Sequence, residues 1–126
     1  MTLDALTDLQ LAVMRALWAL EEGGVADVLA SMREGGRELA PTTVATLLQR
    51  LEKQGWVAHR KVGRQFVYHA RVSEADAASG ALRRLVRSFF GGRASALTAQ
   101  LLESEHVSAE ELAEMRRLLA RQGKDK

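Results

Sequence analysis

Apolar side chains recur at helical spacing in three segments of the first 55 residues. The first stripe predicts a helix over residues 8–22, with Thr7 as its N-cap and Gly23 at its end. Shorter stripes predict a second helix over residues 26–33 and a third over residues 41–54. The glycine-rich turn between the last two helices suits a helix-turn-helix arrangement.

The pattern then changes to one typical of β-strands. Residues 56–61 and 65–70 are β-prone runs on either side of Gly63, which predicts a hairpin with that glycine in its turn. We expect the aromatic side chains of this half of the chain to belong to the core. These are Trp18, Trp56, Phe66 and Tyr68.

After residue 72 the helical period returns, and it predicts helices over residues 73–90, 95–103 and 108–121. Their apolar faces are too large to bury on so small a partner domain, and a second copy of the chain is the simplest surface to cover them. Two of these helices carry the apolar residues that we expect a second copy to bury: Leu82, Leu85, Phe89, Leu112, Met115, Leu118 and Leu119.

The element order predicts a mainly α-helical chain with one small β-hairpin. Residues 1–72 are expected to form a winged helix-turn-helix, in which the third helix reads DNA and the hairpin is the wing. Residues 73–122 are expected to form a helical dimerisation domain, and residues 123–126 a disordered tail.

Composition narrows the class of protein. The 126 residues include no cysteine, which excludes disulfides, thiolate metal sites and cysteine nucleophiles. The N-terminus lacks the pattern of a signal peptide, and no stretch is apolar enough to cross a membrane. We therefore expect a cytoplasmic protein without membrane insertion.

Positive charge is concentrated in one quarter of the chain. Residues 43–71 hold six basic side chains against Glu52 alone, a net charge of +5, whereas residues 1–42 carry a net charge of −4. A local basic zone of this kind is the electrostatic footprint of a protein that binds a polyanion.

The third predicted helix presents a polar face once its leucines are buried. Thr43, Thr46, Arg50 and Lys53 share that face, because their spacings are three, four and three. Arginine can bond guanine with two hydrogen bonds, and threonine offers a methyl to thymine. The pattern also fits an ordinary solvated face. The charge of the neighbouring predicted hairpin distinguishes these two interpretations. The candidate base and phosphate contacts on this helix are Thr42, Thr43, Thr46, Gln49, Arg50 and Lys53.

The predicted wing favours DNA. Arg60, Lys61 and Arg64 cluster near its turn, where packing gives no reason for them, and basic wings contact phosphates or the minor groove.

Nothing in the sequence calls for catalysis or a cofactor. No glycine-rich phosphate loop, nucleophile elbow or paired carboxylate set is present. His59 and His69 lie on opposing predicted strands and could approach each other, but no third metal ligand is evident, so no metal site is predicted.

The segments 6–18, 42–55 and 63–68 resemble the penicillinase repressor family, which includes β-lactamase, methicillin-resistance and copper-responsive repressors. The resemblance extends over nearly the whole chain. It implies a homodimer, joined through the C-terminal helices, that binds a palindromic operator and represses transcription. It also adds Leu97 and Leu101 to the expected dimer surface.

Two departures from the family concern regulation. Copper-responsive members carry a cysteine cluster, and this chain has none. The antibiotic-responsive members resemble proteins that a membrane sensor-protease cuts at an Asn-Phe bond. The pair at the corresponding place in this chain is Gln100 and Leu101, which the resemblance makes the candidate cleavage site. Two alternatives stay open: a winged-helix module that binds an acidic protein, and a regulator that senses a ligand in an interhelical pocket.

Overall fold

The computed structural model describes residues 5–104 and 107–124, and within them the chain is mainly helical with one small antiparallel sheet. This confirms the predicted fold class. Two compact units are present, one ending at Ala81 and one beginning at Leu82. The elements are α1 (Asp8–Leu20), β1 (Glu22–Gly23), α2 (Val25–Glu34), α3 (Pro41–Lys53), β2 (Val57–Val62), β3 (Gln65–Ala70), α4 (Glu74–Phe89), α5 (Ala94–Glu103) and α6 (Ala109–Lys124).

Helix α1 begins as its sequence predicts. The Thr7 hydroxyl accepts from the Gln10 backbone N–H at 3.2 Å, and the Gln10 side chain accepts from the Thr7 backbone N–H at 3.1 Å. This reciprocal capping box satisfies two of the four N–H groups that a helix start leaves unpaired.

The strand β1 was not predicted. It adds two residues to the hairpin, with Glu22 opposite His69 and Gly23 opposite Tyr68, so that the strand order is β1-β3-β2. Directly after β1 the chain runs close to β3 and leaves little room for a side chain, because a Cβ on Gly24 would lie 3.2 Å from the Phe66 carbonyl oxygen.

The core of the first unit is formed by α1, α2 and α3 together with the base of the hairpin. Trp56 and Tyr68 are buried as predicted, and Trp18 is half-buried against the core with its indole N–H donating to the Val72 carbonyl at 2.9 Å. The prediction for Phe66 was wrong, because that side chain is 46% exposed. The strand alternation places it on the same face as the buried Tyr68, but two residues nearer to the turn of the hairpin.

A buried hydrogen bond fixes the C-terminal end of α3. The amide of Gln10, a side chain only 6% exposed, donates to the side-chain oxygen of Gln54, the C-cap residue of α3, at 3.1 Å. A buried polar group that loses its partner costs free energy, because it cannot regain a bond to water.

We therefore expect Gln54→Ala to lower the free energy of unfolding by about 1–2 kcal/mol, measured by urea denaturation. The exposed Gln49 on the same helix is the matched control. Its replacement by alanine should change stability by less than about 0.5 kcal/mol. Equal effects of the two substitutions would show that the Gln10 bond contributes nothing.

The second unit has apolar helical faces that it does not bury. The larger apolar side chains exposed in this unit are Leu82, Leu85, Phe89, Leu101, Leu102, Leu118 and Leu119, while Leu97, Leu112 and Met115 are half-buried. Helix α6 extends to Lys124, which corrects the predicted tail at residues 123 and 124; residues 125 and 126 lie outside the described part. Among residues 5–104 and 107–124, none of the helices combines the length and the apolar composition that a membrane span requires.

Candidate DNA interface

Helix α3 divides into a buried stripe and a polar face. Val44, Leu48 and Leu51, which lie four and three residues apart, are fully buried against the core. That burial turns the opposite side of the helix to solvent, where every residue expected to contact DNA is exposed. We call this set the reader face: Thr42, Thr43, Thr46, Gln49, Arg50 and Lys53.

Thr46 is ordered by its own helix. Its hydroxyl donates to the Thr42 carbonyl at 3.0 Å, a bond to the preceding turn that fixes the rotamer. Because the hydroxyl hydrogen is used, the side chain offers outward its methyl group and the acceptor lone pairs of its oxygen. A methyl at this place suits contact with a thymine methyl.

The cations of the reader face form no ion pair within the part of the chain that the structure describes. Within residues 5–104 and 107–124, no carboxylate oxygen lies within 4.0 Å of the charged groups of Arg50 or Lys53. Glu52, which lies between them in the sequence, bonds to His59 instead. The surface is therefore positively charged where a polyanion would approach.

The wing is a regular two-stranded hairpin with a two-residue turn. β2 and β3 pair from Val57 opposite Ala70 to Val62 opposite Gln65, which leaves Gly63 and Arg64 as the turn. Gly63 has a φ of +61° and Arg64 does not have a positive φ, the pattern of a type II′ turn that requires glycine at its first position.

The predicted wing cations do not share one surface. Successive strand residues face opposite sides, so Lys61 lies on the same face as His59, which contacts α3, and Arg60 lies on the other. Arg60 donates to both carboxylate oxygens of Glu22, at 2.7 and 2.8 Å. Lys61 and Arg64 have no carboxylate within 4.0 Å among the described residues, so they are available to a phosphate.

His59 joins the wing to α3. Its ring Nδ1 lies 2.7 Å from both oxygens of Glu52, and its backbone N–H donates to one of them at 3.1 Å. The ring centroid is 4.5 Å from that of Phe66 and 5.4 Å from that of Tyr68. Burial, and then the negative charge of Glu52, raise the pKa of the Tyr68 phenol, so this tyrosine stays neutral. Sequence reasoning missed this cluster, since no short motif marks it.

The idea that two histidines approach each other was wrong. His59 pairs with Tyr68 and His69 pairs with Ala58, so the two rings lie on opposite faces of the hairpin. No group of three metal-ligating side chains occurs in the part of the chain that the structure describes.

The pair Gln100 and Leu101, expected as a cleavage site, lies within α5, and both side chains are exposed. A helical peptide bond has to unfold locally before it can enter a protease site.

Sequence comparisons with known proteins match most of this chain to one protein family. A protein-family model described as "Penicillinase repressor" matches residues 6–121. The penicillinase repressor of Bacillus licheniformis is 28% identical over 114 residues, which cover 90% of this chain and 88% of that protein. The methicillin resistance regulatory protein MecI of Mammaliicoccus sciuri is 25% identical and covers 85% of this chain and 86% of its own length.

A solved structure resembles part of this chain. The solution structure of monomeric Bacillus licheniformis BlaI, in complex with the blaP half-operator, is 31% identical, with a TM-score of 0.50. The match covers 59% of this chain and 89% of that one.

Proposed function

Because the chain belongs to the penicillinase repressor family, we propose that it represses transcription by binding operator DNA through the reader face and the wing. The observation that carries this proposal is the reader face itself. Six polar or cationic side chains cover one side of a helix whose other side is buried, and no carboxylate among the described residues lies within 4.0 Å of the charged groups of Arg50 and Lys53. The related BlaI, which matches 59% of this chain, was solved in complex with a half-operator.

The contacts divide by chemistry. Arg50 and Gln49 carry the side chains that bond bases with two hydrogen bonds, and the threonines offer methyls and oxygens to base edges or phosphates. Lys53, Lys61 and Arg64 contact phosphates, which supply affinity and register. Arg60 contacts a phosphate only by giving up Glu22.

The experiment is a footprint on the DNA upstream of the chain's own gene, with a scrambled duplex of the same length as competitor. A protected segment that the scrambled duplex does not displace supports a sequence-specific repressor. Equal displacement by both duplexes favours the alternative, a winged-helix module whose basic surface binds an acidic protein.

We propose that the second unit joins two copies of the chain into a homodimer. The support is the amount of exposed apolar surface, which a monomer rarely leaves in contact with water. A twofold dimer would place two reader helices on two half-sites of a palindrome, about one turn of DNA apart.

Phe89, 78% exposed on α4, is the sharpest test of that surface. We expect Phe89→Glu to shift the protein from dimer to monomer in sedimentation at micromolar concentration, because a charge cannot be buried there without a partner. The control is Ser88→Glu, which adds the same charge at the exposed position directly before Phe89. A wild-type chain that is monomeric at every concentration, or two variants with the same sedimentation, would contradict the dimer.

Two switches can release the operator, and a different observation favours each. Gln100 and Leu101 are exposed, which suits cleavage by a sensor-protease once α5 opens locally. A groove of about 430 Å³ between α1 and α2 has the volume of a small-molecule site, and apolar side chains line it together with Asp8, Arg15, Ser31 and Arg37. A ligand there would raise the melting temperature, whereas a protease would leave a cut chain.

We place the protein in the cytoplasm, where its DNA target is.

A further inference from the structure

The contact between Glu52 and His59 joins the two parts of the proposed DNA interface. Glu52 belongs to the last turn of α3, and His59 to the middle of β2. Both oxygens of the carboxylate lie at 2.7 Å from the ring nitrogen, and a third bond at 3.1 Å comes from the His59 backbone. About one third of each side chain is exposed, so water competes with the contact only in part.

The contact continues toward the tip of the wing. The His59 ring packs on Phe66 at 4.5 Å, and Phe66 is the cross-strand partner of Lys61. A movement of His59 relative to α3 is therefore transmitted to Lys61, and through the hairpin to Arg64. The half-exposed Phe66, which the core does not need, has its place explained by this packing.

We propose that Glu52 and His59 are positioning residues for DNA recognition: they fix the wing relative to α3, so that wing phosphates and base edges are contacted in one register. The proposal rests on the proposed function. Neither side chain needs to touch DNA. A wing held in place loses less conformational freedom on binding, and the affinity of the complex rises accordingly.

The charge of Glu52 makes the test sharp. It is the one acidic residue in positions 43–71, so its removal makes this surface more positive. Electrostatics alone predicts that Glu52→Ala binds every duplex more tightly, because DNA is a polyanion. Positioning predicts the opposite for the operator. The two explanations therefore differ in sign.

The experiment measures the dissociation constants of the full chain and its variants for the operator and for a scrambled duplex, at one salt concentration. We expect Glu52→Ala and His59→Ala each to weaken operator binding by about tenfold, the loss expected for one charge-assisted hydrogen bond. Binding to the scrambled duplex should stay equal or become tighter. Melting curves of each variant check that the first unit is folded.

Three further variants separate positioning from a general effect on the protein. Glu38→Ala removes an equal charge from a residue whose only ion pair among the described residues, to Arg33, is 4.0 Å long, and it should not reduce the preference for the operator. His59→Asn carries an amide nitrogen where the ring has Nδ1, and it should regain most of the operator affinity that His59→Ala loses. Lys61→Ala should cost less affinity in the Glu52→Ala background than in wild type, because the wing has already lost its position.

The outcomes distinguish this inference from the function on which it rests. If wild type does not prefer the operator to the scrambled duplex, the repressor function fails. If wild type does prefer it, but Glu52→Ala behaves like Glu38→Ala, the positioning role is overturned and the repressor function stands. Should Glu52→Ala not fold, Glu52→Gln serves in its place; it must then bind the operator more weakly than wild type, and unchanged or tighter binding overturns the role.

Discussion

Leu48→Ala is expected to lower the free energy of unfolding of the first unit by about 2–5 kcal/mol. Leu48 is fully buried at the centre of the α3 stripe, in the cluster that includes Leu17 of α1 and Val28 of α2. The substitution removes apolar contacts and leaves a cavity that the surrounding helices fill only in part. Since domains of this size are stable by about 5–15 kcal/mol, a large part of the stability would be lost. Urea unfolding, followed by far-UV circular dichroism, measures it.

The control is Leu20→Ala, on a side chain 39% exposed at the end of α1, in the same unit. That substitution leaves no enclosed cavity, and we expect a loss of about 1 kcal/mol or less. A loss at Leu48 no greater than the loss at Leu20 would mean that α3 is not anchored by its leucines. The reader face would then have no fixed orientation.

Arg50→Ala is expected to weaken operator binding by about 1–3 kcal/mol, or roughly 5- to 150-fold, while scrambled DNA loses much less. Arg50 is exposed on the reader face, and no carboxylate among the described residues competes for its guanidinium. The loss is specific to the operator because a base contact distinguishes sequences, whereas a phosphate contact does not. Fluorescence anisotropy with both duplexes measures the difference.

Arg50→Lys is the matched variant for that experiment. Lysine keeps the positive charge but has no planar pair of donors for guanine. If Arg50 contacts a base, Arg50→Lys should lose most of the preference and keep most of the affinity for scrambled DNA. If each variant changes its affinity for the operator and for the scrambled duplex by the same factor, Arg50 contacts a phosphate instead.

The sequence predicted correctly which side of α3 faces solvent, because one period determines both sides of a helix. Once Val44, Leu48 and Leu51 are assigned to the core, the opposite side of the helix, with Thr46, Gln49 and Arg50, must face solvent. The capping box at Thr7 was equally readable, since it depends on residues three apart. These features are local, and local spacing is visible in a sequence.

Features fixed by distant residues were not predicted. β1 has only two residues and exists because it pairs with His69 and Tyr68, more than 40 positions away. The alternation along β3 gave the correct face for Phe66, but it could not show where the core ends. Likewise, the cluster of wing cations gave no sign that Arg60 pairs with Glu22, 38 residues earlier.

The most direct test of the central claim is the affinity of the protein for its operator and for a scrambled duplex, measured between 50 and 200 mM salt. A dimer whose reader faces and wings neutralise six to ten phosphates should lose about 10³- to 10⁵-fold in affinity over that range. The operator should stay tighter than the scrambled duplex throughout, because base contacts do not depend on counterion release. Equal affinity for both duplexes at every salt concentration would contradict sequence reading by α3, and an affinity unaffected by salt would contradict the phosphate contacts.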